Sequence, residues 1–113
     1  MKLHVVQLRT YNFEAMVAFY TKLFGYTPTK DGYGDCGFKD HHVKIVQSGI
    51  TLQHETKNLM LSFLFDDEDN ELIRIKNMGI VVIEPSVQSY PGYKVFHTSD
   101  PDENAIILIT KLE

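Results

Sequence analysis

Residues 5–25, VVQLRTYNFEAMVAFYTKLFG, decide the fold because they predict a strand, a helix and a glycine stop. Val6 and Leu8 alternate with polar residues, which is typical of a half-buried strand. Asn12 stands before an apolar stripe of helical spacing, where its side-chain oxygen can accept a backbone N–H of the first turn. Gly25 ends the helix, because glycine adopts the left-handed conformation without a Cβ clash. The stretch therefore predicts one β–α unit.

The same β–α pattern returns in the second half of the chain, about 55 residues further on. An apolar strand at residues 59–65 is followed by Asp67 as a cap candidate and by a helix at residues 67–78. Gly79 ends that helix in the same way. Short strands follow each helix, among them a continuous apolar one at residues 80–83. Each half is therefore predicted to have the order β-α-β-β-β.

Composition argues against several classes of function. The chain has 113 residues and a formal net charge of −4 without a basic block, so nucleic-acid binding is not expected. No apolar run approaches the roughly 20 residues of a membrane span, and we expect no signal peptide before the first strand. The single cysteine, Cys36, cannot form an internal disulfide, which favours a cytoplasmic protein. A catalytic Cys36 would need a paired base that the sequence does not reveal.

Three segments carry a resemblance to the vicinal oxygen chelate superfamily, which includes glyoxalase I, bleomycin-resistance proteins, fosfomycin-resistance enzymes and extradiol dioxygenases. They are residues 12–25 with Phe19-Tyr20 inside, residues 67–79, and residues 93–107 around the sequence DPDEN. The resemblance covers essentially the whole chain. Glu103 departs from the family, which usually has glycine at that position, and Asn104 is expected to adopt the positive φ instead.

The resemblance implies an α+β fold of two βαβββ modules, whose curled mixed sheets form a cleft and whose helices pack on the outer faces. We therefore predict a single vicinal-oxygen-chelate domain, residues 1–113, with module one at 1–57 and module two at 58–113. The family also implies a homodimer and a small-molecule ligand in the cleft between the modules.

In metal-dependent relatives, His, Gln or Glu side chains on the inner strand faces hold a divalent ion. The resemblance places the corresponding positions at Val5, Met60, Ile107 and Val46, with Gln53 as the alternative to Val46. None of the four preferred positions offers a hard donor, and a one-residue slip to His4 would turn the side chain to the other face. We therefore expect neither a metal ion nor another cofactor. The adjacent pair His41-His42 is predicted to lie in a solvated turn, because neighbours on a strand point to opposite faces.

Further ligand contacts are predicted beside these positions. By alternation Gln7 and Arg9 share the face of Val5, and Arg9 can pair an anionic group of a ligand or, alternatively, an acidic residue of the chain. The rings of Tyr33 and Tyr93, near the predicted mouth of the cleft, suit stacking on a flat ligand, although ordinary packing at the rim of the cleft is an equal alternative. His97 is a hydrogen-bond donor or general base in the cleft, or else a surface histidine. The predicted ligand-binding residues are Val5, Gln7, Arg9, Tyr33, Val46, Met60, Tyr93, His97 and Ile107.

Two main hypotheses of function follow from the resemblance. The first is metal-free binding that sequesters a flat or partly apolar small molecule, as in the bleomycin-resistance branch. The second is a lyase, isomerase or dioxygenase with a relocated metal or with acid–base chemistry through His97. A structural or interaction role, with a filled core in place of a cavity, is the third alternative.

Overall fold

The computed structural model describes residues 1–48, 59–66, 68–85 and 90–112. By contacts the chain divides into two compact units, Met1–Glu55 and Thr56–Glu113. The described elements are β1 (Val6–Thr10), α1 (Phe13–Phe24), β2 (Thr29–Lys30), β3 (Cys36–Phe38), a 3-10 turn (Lys39–His41), β4 (Val43–Gln47), β5 (Met60–Leu64), α2 (Glu68–Asn77), β6 (Tyr93–Ser99) and β7 (Ala105–Lys111). This α+β architecture confirms the predicted fold class. At 12 and 10 residues, the helices in the described ranges are too short to span a membrane.

The first unit contains a four-stranded mixed sheet in the order β1-β4-β3-β2. β1 and β4 run parallel, whereas β3 is antiparallel to both of its neighbours. β2 lies at an edge of this sheet and directly follows Pro28. Proline has no backbone N–H to donate to a neighbouring strand, so a proline beside a strand is best tolerated at the edge of a sheet.

The core of the first unit lies between α1 and one face of this sheet. α1 buries Met16, Tyr20 and Leu23, and the rings of Tyr20 and Phe38 approach to 6.4 Å between centroids. Phe38 and Ile45 are fully buried on the sheet side. Burying each of these large side chains contributes on the order of 2 kcal/mol. Helix–sheet packing therefore fixes which face of the strands is turned inward.

The two ends of α1 differ in how well the sequence predicts them. Gly25 adopts φ 84° and donates its N–H to the Thr21 carbonyl, which confirms the predicted glycine stop. The predicted cap at Asn12 is wrong in its chemistry, because the Asn12 side chain makes no capping hydrogen bond. Its φ of −95° and ψ of 48° lie outside the extended region that directs a capping side chain at the first turn. Instead, the Thr10 Oγ1 accepts the N–H of Asn12 at 2.9 Å.

The second unit contains a three-stranded sheet in the order β5-β7-β6. β5 runs parallel to β7 and β6 runs antiparallel to it. Leu61, Ile106 and Leu108 lie on one face of this sheet and are all buried. Met60 and Leu64 lie on the opposite face of the edge strand β5 and are 58% and 61% exposed. The core of the second unit therefore lies on the Leu61 face of the sheet, whereas the opposite face is exposed at β5 and buried at Val95 and Ile107.

The predicted strand at residues 80–83 is wrong, because only one bridge forms there. Ile83 and His97 exchange two backbone hydrogen bonds of 2.8 Å each. In an antiparallel ladder the next such pair lies two residues further on, at Pro85, which has no N–H to donate. On the other side of the bridge, the Thr98 hydroxyl donates to the Val81 carbonyl. Proline therefore stops the ladder after a single pair.

The turn between β6 and β7 is organised by the carboxylate of Asp100, which is only 4% exposed. This carboxylate accepts the backbone N–H groups of Asp102 and Asn104 at 3.0 and 2.9 Å and the Asn104 side-chain amide at 2.9 Å. Because Asn104 is held at the start of β7 by these bonds, the positive φ of 64° falls on Glu103. The expectation that Asn104 adopts the positive φ is therefore wrong.

Replacing Glu103 by glycine is expected to stabilise the protein by roughly 1 kcal/mol, because glycine has no Cβ clash at positive φ. Asn104→Gly is the matched control. We expect it to destabilise the protein, because it removes the hydrogen bond that the Asn104 side-chain amide donates to Asp100 and relieves no backbone strain. Urea unfolding monitored by circular dichroism measures both changes. A loss of stability in Glu103→Gly would contradict this account of the turn.

Candidate functional site

The face of the first sheet that is turned away from α1 carries most of the predicted residues of this unit. The register places Gln7 beside Lys44 and Arg9 beside Val46. Lys44 in turn lies beside Gly37 of β3. Phe38 is on the other face, where its ring lies 5.2 Å from that of Phe24 in α1. We call the surface formed by Gln7, Arg9, Gly37, Lys44 and Val46 the open face.

The burial pattern of β1 agrees with the predicted alternation. Gln7 and Arg9 are exposed, whereas Leu8 between them is 4% exposed. Val46 is half-buried in β4, and Val5 is half-buried immediately before β1. The structure therefore brings Gln7, Arg9 and Val46 together on one surface.

Lys44 is held by an acidic residue that the sequence did not indicate as its partner. Its Nζ lies 2.7 Å from Asp31 Oδ2. The other carboxylate oxygen of Asp31 accepts the backbone N–H groups of Tyr33 and Asp35 at 2.9 and 3.0 Å. The hydrogen bond from Lys44 lowers the pKa of Asp31, and the same bond raises the pKa of Lys44. The charge of Lys44 is therefore balanced within the unit.

Arg9 differs from Lys44 in having no such partner. Its side chain is exposed, and among the described residues no ion pair or hydrogen bond joins the guanidinium to another group. The alternative of a structural ion pair for Arg9 is thus not seen in the described part of the chain. An exposed guanidinium beside an amide and a valine offers a bidentate donor to an anion.

In the second unit, four predicted residues lie on the face of the sheet that also carries Ser62 and Leu64. Ile107 of β7 lies between Ser62 of β5 and His97 of β6. Met60 pairs with Ala105 one row away, and Tyr93 begins β6 on the same face. Met60 is 58% exposed, whereas Ile107 is 4% exposed. The unit therefore combines an exposed thioether and an imidazole around an apolar centre.

His97 is exposed, and no described residue forms a hydrogen bond with its imidazole. A histidine that acts as a general base is usually oriented by a partner on its second ring nitrogen. The geometry therefore gives His97 access to solvent or a ligand, without the second group of a catalytic pair.

Two further predicted positions lie apart from these surfaces. Tyr33 lies in the turn that Asp31 organises, and its side chain is 94% exposed. Gln53, the alternative metal position, lies outside the described residues.

A shallow cavity of about 360 Å³ in the second unit is lined by Phe65, Asp66, Thr110, Lys111 and Leu112. None of the predicted ligand-binding residues lines this cavity.

The four preferred metal positions do not fit a divalent ion. Three of them carry hydrocarbon side chains and Met60 carries a thioether, which is a soft ligand rather than the nitrogen and oxygen donors of the metal-dependent relatives. Within residues 1–48, 59–66, 68–85 and 90–112, no group of three or more His, Cys, Asp or Glu side chains is placed to hold a metal ion. These four positions therefore supply none of the nitrogen or oxygen donors that hold the ion in the metal-dependent relatives.

An aromatic cluster near the end of α1 was missed by the sequence analysis. The imidazole of His41 stacks on Phe24 at 3.9 Å between centroids and 11° between planes, and its Nδ1 lies 2.8 Å from the Tyr26 hydroxyl. Burial raises the pKa of Tyr26. The His41-His42 segment is a turn as predicted, but His41 is half-buried rather than solvated. Phe24 and Tyr26, the two aromatic residues that flank Gly25, were the sequence signal that could have indicated this cluster.

The two units, each with a helix and a mixed sheet, define an α+β protein of the glyoxalase-like class. The chain belongs to the Glyoxalase/Bleomycin resistance protein/Dioxygenase superfamily, whose family model matches residues 2–108. No curated protein matches the sequence. The resemblance to the superfamily that the sequence segments indicated is thus confirmed.

Solved structures similar to this chain support the same fold. A protein from the mobile metagenome of V. Pseudocholerae has a TM-score of 0.76 at 22% identity, over 100% of this chain and 96% of that chain. A glyoxalase/bleomycin resistance protein/dioxygenase from Nocardioides has a TM-score of 0.75 at 17% identity, over 100% and 85%. TnmS3, an antibiotic binding protein from Streptomyces sp. CB03234, has a TM-score of 0.69 at 20% identity, over 99% and 97%. At these identities the likeness shows the fold alone.

The ion pair between Lys44 of the open face and Asp31 predicts a pH-dependent effect of Asp31→Asn. Asparagine keeps an Oδ1 acceptor for the two backbone N–H groups, so the substitution removes the charge but not the turn. Since the pKa of Asp31 lies below 3.8, its contribution is complete above that value and is lost as pH falls through the lowered pKa. Since the pKa of Lys44 lies above 10.5, its contribution is complete below that value and is lost as pH rises through the raised pKa.

The difference in unfolding free energy between the original protein and Asp31→Asn should therefore be largest at neutral pH and shrink toward both extremes. Urea unfolding at a series of pH values measures this difference. In a Lys44→Met background the loss at alkaline pH should disappear, and the change at acid pH should become smaller but persist, because the backbone N–H groups of Tyr33 and Asp35 still lower the pKa of Asp31. A difference of constant size at every pH would contradict the ion-pair account.

Proposed function

We propose that this protein binds a small molecule without a metal ion and sequesters it rather than transforming it. The observation that carries the proposal is the identity of the residues at the four positions where the resemblance predicts metal ligands, which are Val5, Val46, Met60 and Ile107. Glyoxalase, dioxygenase and fosfomycin chemistries depend on a Lewis acid that hydrocarbon and thioether side chains do not hold. Members of the superfamily also include bleomycin-resistance proteins, for which binding is itself the function.

The surfaces that carry the predicted residues support this proposal. Small-molecule sites are mostly apolar with a few placed polar groups. Val46 beside Arg9 and Gln7 supplies that combination on the first unit, and Met60 with Ile107 and His97 supplies it on the second. We propose these residues, with Val5, Tyr33 and Tyr93, as ligand contacts. The similarity to an antibiotic binding protein is consistent with this role.

The proposed setting is a cytoplasmic homodimer without a nucleic-acid or membrane partner. The net charge of −4 opposes nucleic-acid binding. Cys36 is a free buried thiol, and its burial raises the pKa of that thiol, which makes it a poor nucleophile. Light scattering after size-exclusion chromatography, set against the 13.0 kDa mass of one chain, tests the dimer.

The purified protein is expected to contain zinc, nickel, iron and manganese far below one ion per chain, because the metal positions lack donors. Elemental analysis by mass spectrometry, before and after dialysis against a chelator, measures this content. His97→Ala is the informative variant. Stoichiometric metal that is lost in His97→Ala would overturn the proposal in favour of an enzyme with a relocated metal.

Sequestration predicts saturable binding in which the ligand is recovered unchanged. Isothermal titration with bleomycin, a quinone and flat aromatic acids measures binding, and mass spectrometry of the recovered ligand tests for turnover. Chelator should leave the affinity unchanged, since no metal takes part. Absence of binding throughout the panel, or conversion of a bound ligand, would contradict the proposal.

A further inference from the structure

We infer that the ligand is an amphiphilic anion, with one carboxylate- or sulfonate-like group held by Arg9 and a flat apolar body lying over Val46 and Gly37. This inference rests on the proposed function and names the chemical class of its ligand.

The first argument is the charge balance of the open face. It carries two cations, Lys44 and Arg9, in a chain with 15 acidic and 11 basic residues. Asp31 balances Lys44 at 2.7 Å and is itself fixed by two backbone N–H groups. Among the described residues, no acid pairs with Arg9. Arg9 is therefore a positive charge of the open face that no described residue pairs, and the second carboxylate near β4, that of Asp35, accepts the N–H of Gln47 at 3.3 Å and acts on Lys44.

The second argument is the shape of the surface beside that charge. Paired residues on neighbouring strands lie about 5 Å apart, and residues two apart on one strand lie about 7 Å apart on the same face. Val46 is thus the direct neighbour of Arg9, and Gln7 follows along β1. A Cβ added at Gly37 would meet only the Thr29 carbonyl oxygen, at 3.9 Å, so the sheet surface is open there. A flat body attached to an anionic head at Arg9 would therefore contact Val46 first and reach Gly37 diagonally, beside the ion pair of Lys44 with Asp31.

The open face has too few available cations to bind a polyanion. Binding to a nucleic-acid backbone draws on several cations at once. On the open face only Arg9 is available for this purpose, because Lys44 is engaged with Asp31. A single guanidinium flanked by an amide and a half-buried valine matches one anionic group attached to an apolar body.

The test compares two fluorescent probes that differ mainly in charge. Anilinonaphthalene sulfonate carries the anionic group, and phenylnaphthylamine is its neutral counterpart. We expect the original protein to bind the sulfonate at least about tenfold more tightly than the neutral probe, because charge-assisted bonds to Arg9 form only with the anion. Added salt should weaken binding of the sulfonate and leave the neutral probe unaffected.

Three variants test whether Arg9 causes the preference for the sulfonate over the neutral probe. Arg9→Gln should abolish it while keeping the binding of the neutral probe, and Arg9→Lys should restore part of it because the charge returns without the bidentate fork. Lys39→Gln is the matched control, since it removes an exposed positive charge from the turn before β4 and should leave the preference intact. Thermal melting of each variant confirms that the fold is retained.

The outcomes separate this inference from the proposed function. Equal binding of both probes by the original protein overturns the inference alone, because a site exists without a preference for anions. A preference that survives in Arg9→Gln, or that is lost in Lys39→Gln, overturns the assignment to Arg9. Binding of neither probe overturns the inference and counts against the proposed function as well.

Discussion

The packing of α1 on one face of the first sheet is the constraint on which the candidate site depends. Tyr20 and Phe38 are fully buried in this interface, and Leu8 of β1 lies on the same side. Since side chains alternate along a strand, burying Leu8 obliges Gln7 and Arg9 to emerge on the other side. A slip of one residue would bury the guanidinium and expose the core, so the open face is as well determined as the core itself.

The fold could be predicted from the sequence largely because its signals are local. The strand, the apolar stripe and Gly25 all lie within residues 5–25, and the second half repeats that order. The errors arose where one residue overrides a pattern. Pro85 ends the ladder that the apolar run at residues 80–83 predicted, and the bonds that hold Asn104 to Asp100 move the positive φ to Glu103.

The candidate site was predictable only in part, for a related reason. Alternation along β1 places Gln7 and Arg9 on one face, and that information is local. The balance of charge on the same face is not local, because Asp31 reaches Lys44 from a different element. Likewise, nothing in the His41-His42 pair indicates that a ring of α1 stacks on one of its members. Long-range partners decide which charges remain available to a ligand.

The fold of this protein is that of its superfamily, so its function depends on the side chains that the fold carries. One fold supports many functions, and the function is set by the residues at the site. Here the positions that the resemblance predicts for metal donors carry hydrocarbon and thioether groups, and among the described residues no acid pairs with Arg9 of the open face. These properties favour recognition of a small anion over activation of a substrate by an ion.

Mapping of amide chemical shifts by NMR, with a bound flat aromatic acid and separately with zinc, tests this claim most directly. The account predicts that the acid shifts the amide signals of Gln7, Arg9 and Val46, whereas zinc leaves the signals of Val5, Met60 and Ile107 unchanged. Zinc-induced shifts centred on those last three residues, with no response of Arg9 to the acid, would contradict it.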